Sequence, residues 1–296
     1  MIHDDGAIDS DDLARVTRGR YQLIESSGAL SVEFDTADFD AVGGLHNLKR
    51  WISLRRSAFL QPGGQLDTPR GILLTGVQGS GKSLAARAVA GTWQLPLLRL
   101  DFGTLYNKFF GETERNLREA LQAAEAMAPC VLWIDEIEKA IASGDYDSGT
   151  SRRILGNLLT WMAERKKPVF IVATANAIEQ LPPELIRKGR LDEIFFVDLP
   201  DAPTRGEIFT IHLRSRGLKA VDFDLVELAN LTEGFSGAEI EQAVVAGLYL
   251  AREQRASLDT GHLRTEIRQT RPLSQVMAER VDRLRAWAGG RTVSAG

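Results

Sequence analysis

A short apolar run, Gly71-Ile72-Leu73-Leu74-Thr75, leads directly into Gly76-Val77-Gln78-Gly79-Ser80-Gly81-Lys82-Ser83, and a helix-period segment runs from Ser83 to Thr92. The spacing is Gly, four residues, then Gly-Lys-Ser, placed between a strand and a helix. Glycines there let the backbone close around a polyphosphate, with successive N–H groups pointing inward at the positive end of a helix dipole. Lys82 is positioned to reach the β- and γ-phosphates, and the Ser83 hydroxyl to bind Mg²⁺. Gly76, Val77, Gln78, Gly79, Ser80, Gly81, Lys82, Ser83 and, one residue on, Leu84 are the candidate nucleotide contacts. A plain glycine-rich turn explains the glycines but not Lys-Ser in register with both flanking elements.

Such a loop belongs in a parallel sheet, and the rest of the chain has the matching rhythm. Five apolar runs read as buried strands: 72–75, 97–101, 131–135, 169–173 and 194–197. Most are continuous rather than alternating, as strands covered on both faces are. Helix-period segments at 83–92, 112–127, 151–165 and 183–187 separate them. This alternation predicts an α/β chain, a three-layer sandwich around a five-stranded parallel sheet. Beyond Leu199-Pro200-Asp201 the strands stop, and helices are expected at 204–216, 225–230, 236–255, 262–270 and 274–288. Ser236 with Glu239 has capping-box spacing. The expected division is therefore an acidic, poorly ordered segment 1–32, an α/β domain 33–200, a small all-α domain 201–288 and a disordered tail 289–296.

Composition narrows the partners. The 296 residues carry a formal net charge of −4, which disfavours a broad nucleic-acid surface. Cys130 is the one cysteine, so neither an internal disulfide nor a cysteine zinc site is available, and a reducing cytoplasm fits. No apolar run of 18 residues is present, and no membrane span is expected. The four histidines form no His-Glu-x-x-His, hence no zinc-protease signature. The segment 49–56, rich in Lys and Arg, reads as a helix with a solvated basic face, and Trp51 and Trp161 as packing residues.

The third strand ends Val131-Leu132-Trp133-Ile134-Asp135-Glu136, placing two acids where open α/β sheets bind ligands. Asp135 suits Mg²⁺, directly or through water. Glu136 suits orienting and polarising the attacking water.

At this point the chain resembles the AAA ATPases. Asp40-Ala41-Val42-Gly43-Gly44-Leu45 is similar to the family's adenine-side strap. Asn176 matches the sensor asparagine. The segment Pro183 to Asp192 matches the one carrying two arginine fingers, Arg187 and Arg190. Gly234-Phe235-Ser236-Gly237-Ala238-Glu239-Ile240 matches the helical-lid signature. Within the family, Thr75 to Gly79, Ala128 to Ala140 and Thr270 to Ser274 are similar to the hypothetical chloroplast reading-frame proteins of plastids and cyanobacteria. Those usually carry a longer N-terminal region.

The resemblance implies roles. Val42 and Gly43 lie near adenine, and Gly237 and Ala238 contact nucleotide from the lid. Ala238 stands where some branches have a sensing arginine. Asn176 bonds the lytic water or the γ-phosphate, its alternative being a strand-end cap. Arg187 and Arg190 complete a neighbour's site, their alternative being a solvated basic turn. Phe109, with Phe110 beside it, sits at the pore loop that grips a threaded polypeptide; the alternative is core packing. Together these imply Mg²⁺-dependent ATP hydrolysis in a ring, most simply a homohexamer, that remodels an unknown protein partner in the cytoplasm or a plastid stroma. An ATP-switched scaffold without threading is the alternative, and a nucleic-acid loader is disfavoured by charge.

Overall fold

The computed structural model describes residues 29–61, 63–106, 112–140, 148–187 and 189–296. Strands β1 (Leu30–Glu33), β2 (Gly71–Gly76), β3 (Leu97–Leu100), β4 (Cys130–Ile134), β5 (Val169–Ala175), β6 (Glu193–Val197) and β7 (Val293–Ser294) form one sheet in the order β1-β3-β4-β5-β2-β6-β7. The five expected strands are its parallel centre. Side chains alternate between two apolar layers. Leu73, Leu132 and Ile171 face one, while Ile72, Leu74, Val131, Trp133 and Phe170 face the other.

Helices α1 (His46–Leu60) and α2 (Lys82–Trp93) cover the second layer. There Phe59 stacks on Trp93 with ring centroids 5.1 Å apart, and Trp93 meets Phe170 at 4.6 Å. Trp51 lies edge-on to Phe195 at 5.9 Å, with the Arg55 guanidinium 3.8 Å from its centroid, which supports the packing role expected of it. Phe170 is fully buried in this aromatic group. Phe170→Ala is expected to cost about 3–5 kcal/mol and lower the melting temperature by on the order of 10 °C, measured by thermal denaturation.

The first layer is covered by α4 (Glu112–Ala126), α5 (Ser148–Glu164) and a helix from the far end of the chain. Short helices α3 (Phe102–Tyr106) and α6 (Pro183–Ile186) complete the large unit. The lid comprises α7 (Ala202–Arg214), α8 (Leu225–Leu231), α9 (Gly237–Glu253) and α10 (Thr260–Gln269) around its own core of Phe209, Leu228, Ile240, Val244 and Leu263. Ser236 and Glu239 form the expected capping box at α9.

Four expectations are corrected. The sheet has seven strands, not five. Strand β1 pairs antiparallel with β3, from Leu30 opposite Leu100 to Glu33 opposite Leu97, so ordered structure begins inside the segment expected to be irregular. The tail 289–296 is not disordered. After α11 (Leu273–Val276) and α12 (Ala278–Ala288), β7 joins β6 in parallel register, with Phe195 opposite Val293. The physical reason lies at α1. Its first turn has no side-chain cap, and Leu45 before it is left-handed at φ 55°. The orphan N–H groups of Asn47 and Leu48 both donate to the Ala295 carbonyl at 3.1 Å. The Asn47 side chain adds bonds to the Ser294 and Gly296 carbonyls at 3.2 and 2.8 Å. The tail thus satisfies donors that a helix start otherwise leaves exposed. The helix expected over 274–288 is also two, broken at Met277 (φ −117°, ψ 33°).

Candidate functional site

The phosphate loop leaves β2 at the point where the sheet order switches, with β5 on one side and β6 on the other. Gly76 (φ 141°) is pinned there: a Cβ would lie 2.0 Å from the Val197 carbonyl oxygen of β6. Gly81 is left-handed at φ 96° and forms the N-cap of α2. Lys82, in the first turn, is buried, and its ammonium donates to the Gly76 and Val77 carbonyls at 3.0 and 2.7 Å. Desolvation pulls its pKa down to about 8, against the opposing pull of the nearby carboxylates Glu138, Asp135 and Glu136.

Above the loop lies a cleft of about 320 Å³ between sheet and lid. Gln78, Gly79, Ser80, Gly81, Lys82, Ser83, Leu84 and Asn176 line one end. Val42 and Gly43 line the other, and Gly237 and Ala238 close it from α9. Gly76 and Val77 lie beneath, serving Lys82 rather than the cleft wall. Lid and loop touch directly: the Ala238 N–H donates to the Gly79 carbonyl at 3.2 Å. A Cβ on Gly79 (φ 77°) would come within 2.8 Å of the Ser236 hydroxyl, so this glycine is what permits the approach. At the strap, a Cβ on Gly43 would meet Ile208 of α7 at 2.6 Å, and the Gly44 N–H donates to Glu207 at 2.8 Å.

The acids at the end of β4 are held from β5. Thr174 donates its hydroxyl to Asp135 at 2.7 Å and accepts the Glu136 N–H at 3.0 Å. Arg99 on β3 donates to the other Asp135 oxygen at 3.0 Å. Glu136 is left-handed at φ 49°, a strained conformation for a side chain with a Cβ, and one that re-aims its carboxylate at the strand end. The Asn176 amide donates to Glu136 at 2.9 Å, and Lys139 pairs with the other Glu136 oxygen. That hydrogen bond to Glu136 raises the Lys139 pKa. Glu138, buried, accepts the Asn176 N–H at 2.8 Å. Asn176 is therefore held by two carboxylates where it lines the cleft beside the loop.

Arg187 and Arg190 do not line this cleft. Arg187 is exposed just after α6, and Arg190 turns back onto the Glu184 carbonyl. Phe109 and Phe110 lie outside the described residues. Sequence reasoning missed the far wall: Ile208, Ile211, His212 and Glu241. The signal was present, since 208, 211 and 212 share one helical face. His212 has its pKa lowered by burial, with Glu241 3.6 Å away pulling the other way. Arg280, whose guanidinium donates to the Asn176 carbonyl at 3.4 Å, was also missed. It lies outside every motif, six residues beyond the segment Thr270 to Ser274.

Among the described residues no helix is long and apolar enough to cross a membrane. A family model described as "ATPase family associated with various cellular activities (AAA)" matches residues 72–199, and one described as "AAA+ lid domain" matches 222–265. The "Uncharacterized AAA domain-containing protein ycf46" of Trieres chinensis is 43% identical over 286 residues, 95% of this chain and 58% of that protein. The chain thus spans little more than half the length of this plastid-type relative. The proteasome-activating nucleotidase of Aeropyrum pernix is 42% identical over 193 residues, 63% of this chain and 47% of that protein. The crystal structure of the FIGL-1 AAA domain superposes with a TM-score of 0.74 at 23% identity, covering 93% of this chain and 96% of that one, which shows the shared fold. With a strand–loop–helix phosphate cradle, paired strand-end acids and a helical lid all in family order, the chain belongs to the AAA ATPase family.

Proposed function

We propose that this chain binds ATP with Mg²⁺ in the cleft between sheet and lid, hydrolyses it, and works in a ring, most simply a homohexamer, that remodels or threads a protein partner. The observation that carries this reading is the convergence at the phosphate loop: buried Lys82, Asn176 lining the cleft, and Glu136 hydrogen-bonded to that asparagine.

Mg²⁺ fits the donors present. Ser83 and Asp135 offer hydroxyl and carboxylate oxygen, and no cluster of three or more His, Cys, Asp or Glu side chains suited to a softer or more demanding ion occurs among the described residues. Few protein ligands with phosphate and water completing the shell is the habit of Mg²⁺. When bound, the ion neutralises phosphate charge. The protein's part is then positioning. Loop amides and Lys82 hold the β- and γ-phosphates. Glu136 orients the attacking water and draws on its proton, while Asn176 holds Glu136 and the γ-phosphate end in register. Val42 and Gly43 receive adenine, and Gly237 and Ala238 bring the lid against the loop by backbone contact.

Arg187 and Arg190 do not line their own cleft, which supports their completing the site of an adjacent subunit. A protein partner accords with the Aeropyrum relative, a proteasome-activating nucleotidase. The net charge of −4 continues to disfavour nucleic acid.

The test is subunit mixing, read as phosphate release with Mg²⁺ present. Arg187→Ala/Arg190→Ala chains and Glu136→Gln chains should each be nearly inactive, since an arginine finger is worth about 10³–10⁵ in rate. Mixed, they should recover turnover, because some interfaces join an intact Glu136 to intact fingers. Assembled mixtures that stay inactive would refute the shared site.

A further inference from the structure

We propose that Arg280, on the C-terminal helix α12, reads the terminal phosphate of the bound nucleotide from within the same chain, so that this helix distinguishes ATP from ADP. The proposal rests on the phosphate-site reading above and assigns that site a residue outside every sequence motif.

Arg280 borders residues that line the cleft. It shares a small void of about 20 Å³ with Val77, Gln78 and Asn176. Gln78 and Asn176 also line the nucleotide cleft. The charge of Arg280 is felt at the phosphate lysine, where it is among the groups opposing protonation of Lys82. Arg280 is a half-buried residue, and among the described residues it makes no ion pair. Its hydrogen bond to the Asn176 carbonyl is long, 3.4 Å, and uses one of five donors. Its remaining donors can serve an anion placed beside them.

The helix beneath Arg280 is firmly seated. Val281 and Leu284 are buried, and Arg285 grips Asp198 with bonds of 2.9 to 3.1 Å. The lid residue facing the loop is Ala238, which brings no charge. A cation on the Asn176 side therefore acts where ATP has a phosphate and ADP has none. The β-phosphate, common to both, belongs to Lys82 and the loop amides.

The competing role is mere docking, with Arg280 holding α12 through the Asn176 carbonyl. Arg280→Gln keeps a donor for that carbonyl and removes the charge; Arg280→Lys keeps the charge. ADP and a non-hydrolysable ATP analogue are titrated into the full chain, parent and variants, at matched melting temperatures. For Arg280→Gln the ADP Kd should stay within about twofold, while the analogue Kd rises about tenfold or more, the scale of a lost charged hydrogen bond. Arg280→Lys should recover part of the difference. Amide exchange in α12 should slow with the analogue but not with ADP, and that contrast should vanish in Arg280→Gln. Equal weakening of both nucleotides, or no change in either, overturns the proposal while leaving the phosphate site standing. A parent chain that binds neither nucleotide overturns the phosphate-site reading and this proposal with it.

Discussion

Lys82→Ala should leave a folded chain with no measurable nucleotide affinity in a fluorescent-ATP titration. The ammonium is the cation at the heart of the loop, buried and already desolvated, with three carboxylates nearby and two backbone carbonyls as its direct partners. Its dehydration is therefore built into the fold before any phosphate arrives. Each charged hydrogen bond is worth about 1.5–3 kcal/mol, so losing two weakens binding by about two to four orders of magnitude. Truncation removes the ammonium from the Gly76 carbonyl, while the Val77 carbonyl keeps the Ser80 hydroxyl at 2.7 Å. Lys82→Met, which refills the space without charge, is the control: it should melt no lower than the parent and still bind no ATP. Near-parental affinity in either variant would remove the phosphate-loop assignment.

Glu136→Gln should bind ATP as the parent does and hydrolyse it about 10²–10⁴-fold more slowly. Glutamine preserves shape and can still accept the Asn176 amide, so the local geometry, including the left-handed backbone at φ 49°, persists. What disappears is the carboxylate's ability to draw on the water proton. The Lys139 pair is lost as well, but both side chains are substantially exposed, 54% and 36%, and such pairs contribute little to stability. Single-turnover phosphate release separates the outcomes. Turnover within a few fold of the parent would mean another group activates the water, and the buried Glu138, hydrogen-bonded to the Asn176 backbone, would be the next to replace.

The legible parts of this chain were those written in consecutive residues. The loop 76–83 and the acids 135 and 136 follow fully buried strands of six and five residues, whose burial on both faces makes the apolar run continuous. The illegible parts depend on partners distant in sequence. Strand β7 is two residues long, and nothing in Val293-Ser294 marks a strand; the edge of β6 and the open first turn of α1 define it. Strand β1, four residues, exists because β3 offers it a ladder. The far wall of the cleft was half-legible: Ile208 and His212 share a helical face, but the sequence does not say that this face meets a cleft rather than a core. Arg280 was invisible, since its position beside Asn176 arises from a contact across 104 residues.

The return of the chain to the sheet after α10 has a mechanical consequence. The lid leaves the α/β body through the short link from Asp198 to Asp201 and comes back through α11, where Leu273 and Ser274 are bonded to the lid at Glu239 and Gly234 and α12 is bonded to Asp198. A body held by one strap can turn about three axes. Held by two, it keeps chiefly the rotation about the line joining them. Both straps are tied at Asp198, at the end of β6, and the lid meets the loop separately through the Ala238–Gly79 contact. Closure of the lid on a nucleotide is thus channelled into a swing like that of a door on two hinges.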